Sequence, residues 1–318
     1  MRLLVTMFCG LMAVFLAHAA DAQTVTIITP PAGSLSNSAA AAIAKAVNEK
    51  AHIRMVVQPQ ASTGFEELQV GEADFNVSNA FDATFFATGT GDYQDKGVHK
   101  NLRLVASIVP LRVAMHVRAD SNIRSIKDLK GKRVSSGFNT QKTIGRIIEA
   151  MLANAGLTYN DVSQVPAPNV VRAADDFKSG KVDVLYFAVG SAAVKEAAAT
   201  VGGLRVLPID DSPEAVKRMQ SVLPGSYVIT VNPSPNLDGI DKPTKLIAFD
   251  LVMNASAKVK DDVVYRVTKA IHESKPQMMA TFRALTLFDP AKMAKVVAGL
   301  DLHPGAAKFY REAGLLPK

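Results

Sequence analysis

Tryptophan is absent, cysteine occurs once, and aromatic residues make up only 6% of the 318-residue chain. The single cysteine, Cys9, falls in an N-terminal leader, so the chain that remains has no disulfide, no thiolate metal site and no thiol nucleophile. His52, His99, His116, His272 and His303 show no metal-ligand spacing such as His-Glu-x-x-His. There is no Gly-x-Ser-x-Gly nucleophile elbow and no P-loop, and Gly89-Thr90-Gly91 lacks the third glycine of a dinucleotide fingerprint. The formal charge is +7, but no basic cluster interleaved with aromatics accompanies it. The densest basic stretch, residues 124–133, is broken by Asp128. These absences argue against a nucleic-acid module and give no cofactor, no metal site and no catalytic constellation. A net positive charge is also suited to drawing an anionic solute into a cleft.

The long apolar run is at residues 3–17, after Arg2 and before Ala17-His18-Ala19 and Ala20-Asp21-Ala22. It has the layout of a secretory signal peptide and is shorter than the ~20 apolar residues of a membrane span. Cleavage is expected after Ala22, with Ala19 as the alternative, which places the mature protein in the periplasm. A secreted chain without disulfides needs a large core, and a composition 48% hydrophobic over this length suits two domains.

One unit occurs twice. Phe65 to Val77 and Ala174 to Phe187 each read as a short amphipathic helix, a glycine, two residues, an aspartate and an apolar strand. Gly71 pairs with Gly180, and Asp74 with Asp183, at the same separation. Glycine ends a helix because it enters the left-handed conformation cheaply. The two units imply two α/β lobes with a cleft between them, and the aspartates are expected to brace turns rather than hold ligand. Strands are expected at residues 24–29, 53–59, 75–78, 102–108, 114–117, 133–136, 205–209, 227–231 and 245–253. Helices are expected at 38–50, 142–155, 191–200, 213–220, 261–275, 276–283, 290–297 and 304–313, with a surface loop at 88–100. Thr63 and Glu66 have capping-box spacing for the first repeated helix.

Four loops share one design, following a strand and opening a helix: Gly33-Ser34-Leu35-Ser36, Ser62-Thr63-Gly64, Asn139-Thr140-Gln141 and Gly190-Ser191. Free N–H groups at helix starts bind carboxylates and phosphates, and in open α/β sheets they gather at the carboxyl ends of the strands. Each loop is equally read as ordinary helix capping. Lys142 places a cation against the helix dipole, either to serve a ligand or as a solvated lysine. Arg112 is placed either to clamp a carboxylate or to pair with a surface acid.

The ordered stretches Leu68 to Asp74, Val117 to Ser121, Leu129 to Val134, Asp261 to Tyr265 with Thr268-Lys269-Ala270, and Leu302 to Ala306 resemble the TAXI-type solute-binding proteins of tripartite (TRAP) transporters. The resemblance implies a type II periplasmic-binding-protein fold that captures a solute and delivers it to an ion-gradient-driven permease. It implies lobe I at residues 23–112, lobe II at 113–248 and a return to lobe I at 249–318, with a hinge near 113–118 and 249–253. Many members have paired tyrosines after the first loop and Gln-Ser-Asp after the third strand; here the first loop lacks an aromatic and Ser78-Asn79-Ala80 removes the acid. With Lys142 added, this favours a small organic anion, expected to be a carboxylate. The candidate ligand residues are Gly33, Ser34, Leu35, Ser62, Thr63, Asn79, Phe81, Arg112, Asn139, Thr140, Gln141, Lys142, Thr143, Phe187 and Gly190. A periplasmic sensor module and an enzyme on the same scaffold are the competing readings.

Overall fold

The computed structural model describes residues 23–317, so the expected signal peptide and Cys9 lie outside the described residues. The chain begins with β1 (Gln23–Thr29), α1 (Leu35–Lys50), β2 (Ile53–Pro59), α2 (Phe65–Val70), β3 (Phe75–Asn79) and α3 (Ala80–Thr88). A 3-10 turn at Gly91–Tyr93 leads to β4 (Leu102–Arg118). The second lobe holds β5 (Arg133–Gly137), α4 (Thr143–Asn154), β6 (Ser163–Ala167), α5 (Val170–Lys178), β7 (Leu185–Ala188) and α6 (Ala192–Val201). It continues through β8 (Leu204–Leu207), α7 (Pro213–Val222) and β9 (Tyr227–Val231). β10 (Thr244–Ser256) returns to the first lobe, which α8 (Asp261–His272), α9 (Lys275–Thr281) and α10 (Pro304–Glu312) complete.

The strands explain the two lobes. In the first, β2 and β3 flank β1 in parallel, and the second half of β10 lies antiparallel on β3. In the second, β6 lies parallel to β5, and the last turns of β4 lie antiparallel on β7. β4 and β10 run antiparallel to each other from Leu102 to Val113 and are shared by both lobes. β4 is therefore one strand of 17 residues, not the two expected at 102–108 and 114–117. Pro110 interrupts the strand signal, but it sits just beyond a register shift at Leu251/Val252, where the ladder is already irregular.

The repeated unit is reproduced atom by atom. The N–H groups of Glu72 and Ala73 both donate to the Glu67 carbonyl, as those of Lys181 and Val182 do to Asp176. Gly71 and Gly180 have φ of +79° and +77°. Asp74 accepts from the Thr26 backbone N–H at 2.8 Å in β1, and Asp183 from the Arg133 backbone N–H at 2.8 Å in β5. Each aspartate therefore ties the turn to the first strand of its lobe. Arg133 also donates through its guanidinium, which holds the Asp183 carboxyl below its ordinary range.

Several expectations are corrected. The capping box at Thr63 does not form; Gly64 is the N-cap of α2, with φ of +74° and no side-chain bond, because its backbone already turns the chain. α3 was not expected, since Ala80 to Phe86 is apolar nearly all round and shows no helical stripe. β6 was also missed; its five residues include Pro166 and are mostly exposed. The surface loop expected at 88–100 buries Tyr93, which meets Phe65 and Phe86 edge-on at 6.2 and 5.3 Å. The helix expected at 290–297 is a short 3-10 turn at Pro290–Lys292. α4 is the clearest agreement: Ile144, Ile147, Ile148, Met151 and Leu152 are buried along one side, each worth roughly 1.5–3 kcal/mol relative to exposure.

Candidate functional site

The strand ends and helix starts of both lobes meet around two adjoining cavities. The inner one has a volume of about 60 Å³ and the outer about 420 Å³. Thr63 lines both. Because Gly64 caps α2, the Thr63 hydroxyl is not used as a helix cap.

Of the expected residues, Ser34, Leu35, Asn79, Gln141, Thr143 and Phe187 line the inner cavity with Thr63. Ser62, Asn139, Thr140 and Lys142 line the outer one. The remaining four, Gly33, Phe81, Arg112 and Gly190, line neither. The Gly33 carbonyl instead accepts from the Ala193 N–H at 3.4 Å, a direct link between the lobes. Phe81 is buried edge-on against Phe249 of β10 at 4.7 Å. Strand alternation sends Leu111 and Val113 into the inner cavity and Arg112 to the opposite side. Burial lowers the Arg112 pKa from its ordinary value. Gly190 adopts φ of +77°, and a Cβ there would lie 3.2 Å from Leu237.

The helix starts differ in how fully they are capped. Ser34 accepts from the Asn37 N–H at 3.1 Å and Ser191 from the Val194 N–H at 3.3 Å. Asn79, the N-cap of α3, makes no side-chain cap bond and faces the inner cavity. Thr143 opens α4, with Lys142 one residue before it. Gln141 Oε1 accepts from the Val170 N–H at 3.0 Å, fixing the loop to the start of α5. Behind the cavity wall, Asn254 of β10 donates to Asn76 Oδ1 at 2.9 Å and Ser78 Oγ at 3.0 Å. Asn76 in turn donates to the Thr63 carbonyl at 2.8 Å. A hinge-strand amide thus positions two cavity segments.

Sequence reasoning missed Asp82, along with Tyr93 and Tyr186, and named Ser36 and Ser78 within their loops without choosing them as ligand residues. Asp82 lies in the first turn of α3, is 1% exposed and lines the inner cavity. Burial pushes its carboxyl up to about 7, against the pull of the Thr143 and Tyr93 hydroxyls. Burial and the Asp82 charge raise Tyr93 well above its ordinary value. Although Ser78-Asn79-Ala80 carries no acid, one therefore lines the cavity two residues further on, at Asp82. Its signal was a lone acid within an apolar run.

Arg146 of α4 crosses the cleft to Asp92 with two hydrogen bonds, Nε to Oδ2 at 3.2 Å and Nη2 to Oδ1 at 2.8 Å. Its guanidinium lies 5.6 Å from the centre of the Phe85 ring. The hydrogen bonds to Asp92 raise the Arg146 pKa.

Two α/β lobes, two shared strands and a cleft of helix starts define the bilobed fold of periplasmic binding proteins. Its solved relatives include the alkanesulfonate-binding protein SsuA from Xanthomonas axonopodis pv. citri bound to MOPS, with 17% identity and a TM-score of 0.52 over 94% of this chain and 96% of that one. The periplasmic binding protein BugD is similar at 14% identity and a TM-score of 0.61, over 92% of this chain and 98% of that one. A protein described as a periplasmic transporter matches at 14% identity and a TM-score of 0.59, over 93% and 95%. The chain belongs to the NMT1-like family, whose profile matches residues 27–314.

Proposed function

We propose that this protein is a periplasmic solute receptor that binds a small organic anion, a carboxylate, in the inner cavity and hands it to a membrane permease. The observation that carries this reading is the cavity itself, walled by helix starts from both lobes and by few charged groups. Helix starts hold carboxylates without cationic side chains. A volume of about 60 Å³ accommodates roughly four to six water-sized groups, which suits a carboxylate on a short chain. The names of the similar structures, which cite alkanesulfonate binding and periplasmic transport, support the solute-receptor class.

In this reading lobe I comprises residues 23–112 and 249–318 and lobe II residues 113–248. The hinge lies where β4 and β10 pass between them, near 113–118 and 249–253. The ligand set is the cavity-lining group given above, with Lys142 and Asn139 at the entrance. The ordered stretches shared with TAXI-type receptors support a tripartite, ion-gradient-driven permease as the partner.

A thermal-shift and calorimetry screen of short carboxylates, neutral analogues and amines tests the solute class. Carboxylates should stabilise the fold by mass action. Binding of neutral or cationic solutes alone would overturn the anion assignment. Reconstitution with the membrane subunits should give uptake driven by an ion gradient without ATP. Uptake that requires ATP would refute the tripartite partner.

A further inference from the structure

Asp82 is unusual in a cavity assigned to an anion. Its Oδ1 is buried and takes no hydrogen bond. Among the described residues lining the inner cavity there is no lysine, arginine or histidine, and Asp82 is the one acid. Lys142 and Lys96 line the outer cavity, and Lys96 is already paired with Glu66. The space is small, so a carboxylate held at the starts of α1, α3 and α4 lies close to Asp82. Two carboxylates confined together do not both stay ionised.

We propose that Asp82 binds the solute as a neutral acid, its carboxyl O–H donating to the solute's carboxylate, so that binding takes up one proton from solvent. The proposal rests on the carboxylate-receptor reading above. The proton leaves solvent or buffer and forms an O–H bond on one Asp82 oxygen, which then donates to one oxygen of the solute's carboxylate; no bond of the solute breaks. The resulting hydrogen bond is charge-assisted, of the short and strong kind, and it gives the buried Asp82 Oδ1 a partner.

The surroundings leave Asp82 as the group that titrates. From the 3-10 turn it faces Asp92 and Tyr93, and the Asp92 charge raises its pKa further. Asp92 is held by Arg146 of α4. Thr143 of α4 presents an uncharged hydroxyl. Tyr186 of β7 is raised by burial and stays neutral. On the outer side, Lys142 of the loop before α4 and Glu66 and Glu67 of α2 border the adjoining cavity. With Asp82 pushed up to about 7 by burial, the protonated fraction falls about tenfold per pH unit above neutrality.

The test is calorimetry of the full mature protein with acetate, pyruvate and succinate as probes, from about pH 6 to about pH 8.5, in buffers of low and high ionisation enthalpy. Affinity should fall ~30-fold over that range, with uptake near one proton per solute at the alkaline end. Asp82→Asn keeps a donor and cannot ionise, so the ~30-fold ratio should shrink to about one. A wild-type affinity independent of pH, with no proton uptake, overturns the inference and leaves the receptor reading intact. An affinity that rises with pH also overturns it, because Asp82 then acts as an ionised acceptor. An Asp82→Asn profile that keeps the wild-type slope overturns it as well. If none of the three probes binds near pH 6, the carboxylate reading fails and this inference falls with it. The wild-type proton uptake decides the question even if Asp82→Asn does not fold.

Discussion

Removing the Arg146 guanidinium should open the cleft. The pair with Asp92 is bidentate, and its side chains are 30% and 22% exposed, neither fully solvated nor buried. Exposed ion pairs contribute about 0.2–1 kcal/mol and hydrogen bonds to charged groups ~1.5–3 kcal/mol, so this one falls at about 1–2 kcal/mol. The Phe85 ring adds about 0.5–1 kcal/mol. Both contacts join α4 to the first lobe and exist only while the lobes touch. Arg146→Ala therefore shifts the balance between closed and open forms by about 2 kcal/mol, or roughly 30-fold toward open. Solute affinity should weaken by up to that factor, since binding must then restore closure. Small-angle scattering of the ligand-free variant should give a larger radius of gyration than wild type, with thermal stability nearly unchanged. A double-mutant cycle with Asp92→Ala isolates the pair. An unchanged scattering curve together with a coupling below about 0.5 kcal/mol would refute the reasoning.

Other outcomes follow from single residues. Burial holds His116 down to about 4, so the fold favours its neutral form. That contribution is complete above the unfolded value near 6.5 and is lost as pH falls from there toward 4, by about 3 kcal/mol in all. Denaturant melts of His116→Gln should lose much of the acid destabilisation in this window; an identical profile would count against it. For ligand-free Asp82 the sign reverses, because its folded pKa is raised and stability drains away as pH climbs from about 4 through about 7. Asp82→Asn should therefore raise the melting temperature above neutrality and leave it unchanged near pH 4, and equal shifts at both ends would exclude the buried charge as the cause. Gly180→Ala forces a left-handed φ at a position where the added Cβ meets only Arg118 Nη2, at an ordinary contact distance of 4.0 Å, and should cost about 1–2 kcal/mol with solute affinity intact. Asn79→Ala, at an uncapped helix start in the inner cavity, should weaken binding more than Lys142→Ala at the entrance, and the reverse order in calorimetry would move the site outward.

The fold was legible where local chemistry and tertiary role agree. Gly71 and Gly180 announce left-handed helix ends, and the aspartates three residues on announce braced turns, because both features are set within a few residues. The stripe of α4 was legible because one face alone is apolar. The failures share another cause. Pro110 carries a break signal that the neighbouring register shift absorbs, so β4 continues through it. α3 is buried on most sides between β10 and the 3-10 turn, which erases the periodicity that marks a helix. The candidate site was legible as loops, since Gly, Ser, Thr and Asn at helix starts expose N–H groups wherever they occur. It was not legible as an orientation. Whether Arg112 or Leu111 faces the cleft depends on the pleat of a strand shared by two lobes, and Asp82 reaches the cavity through a helix that its own sequence does not betray.

The two shared strands also constrain how the chain can be made. The first lobe's sheet places the end of β10 between β3 and β4. An internal strand of that sheet is therefore contributed by residues 251–256, long after β1, β2 and β3 have been synthesised. A chain emerging from its N-terminus cannot finish the first lobe until the second has passed through. The edge of β3 stays unpaired during that interval, and pairings so distant in sequence form slowly. The segment synthesised first is thus the last to be completed.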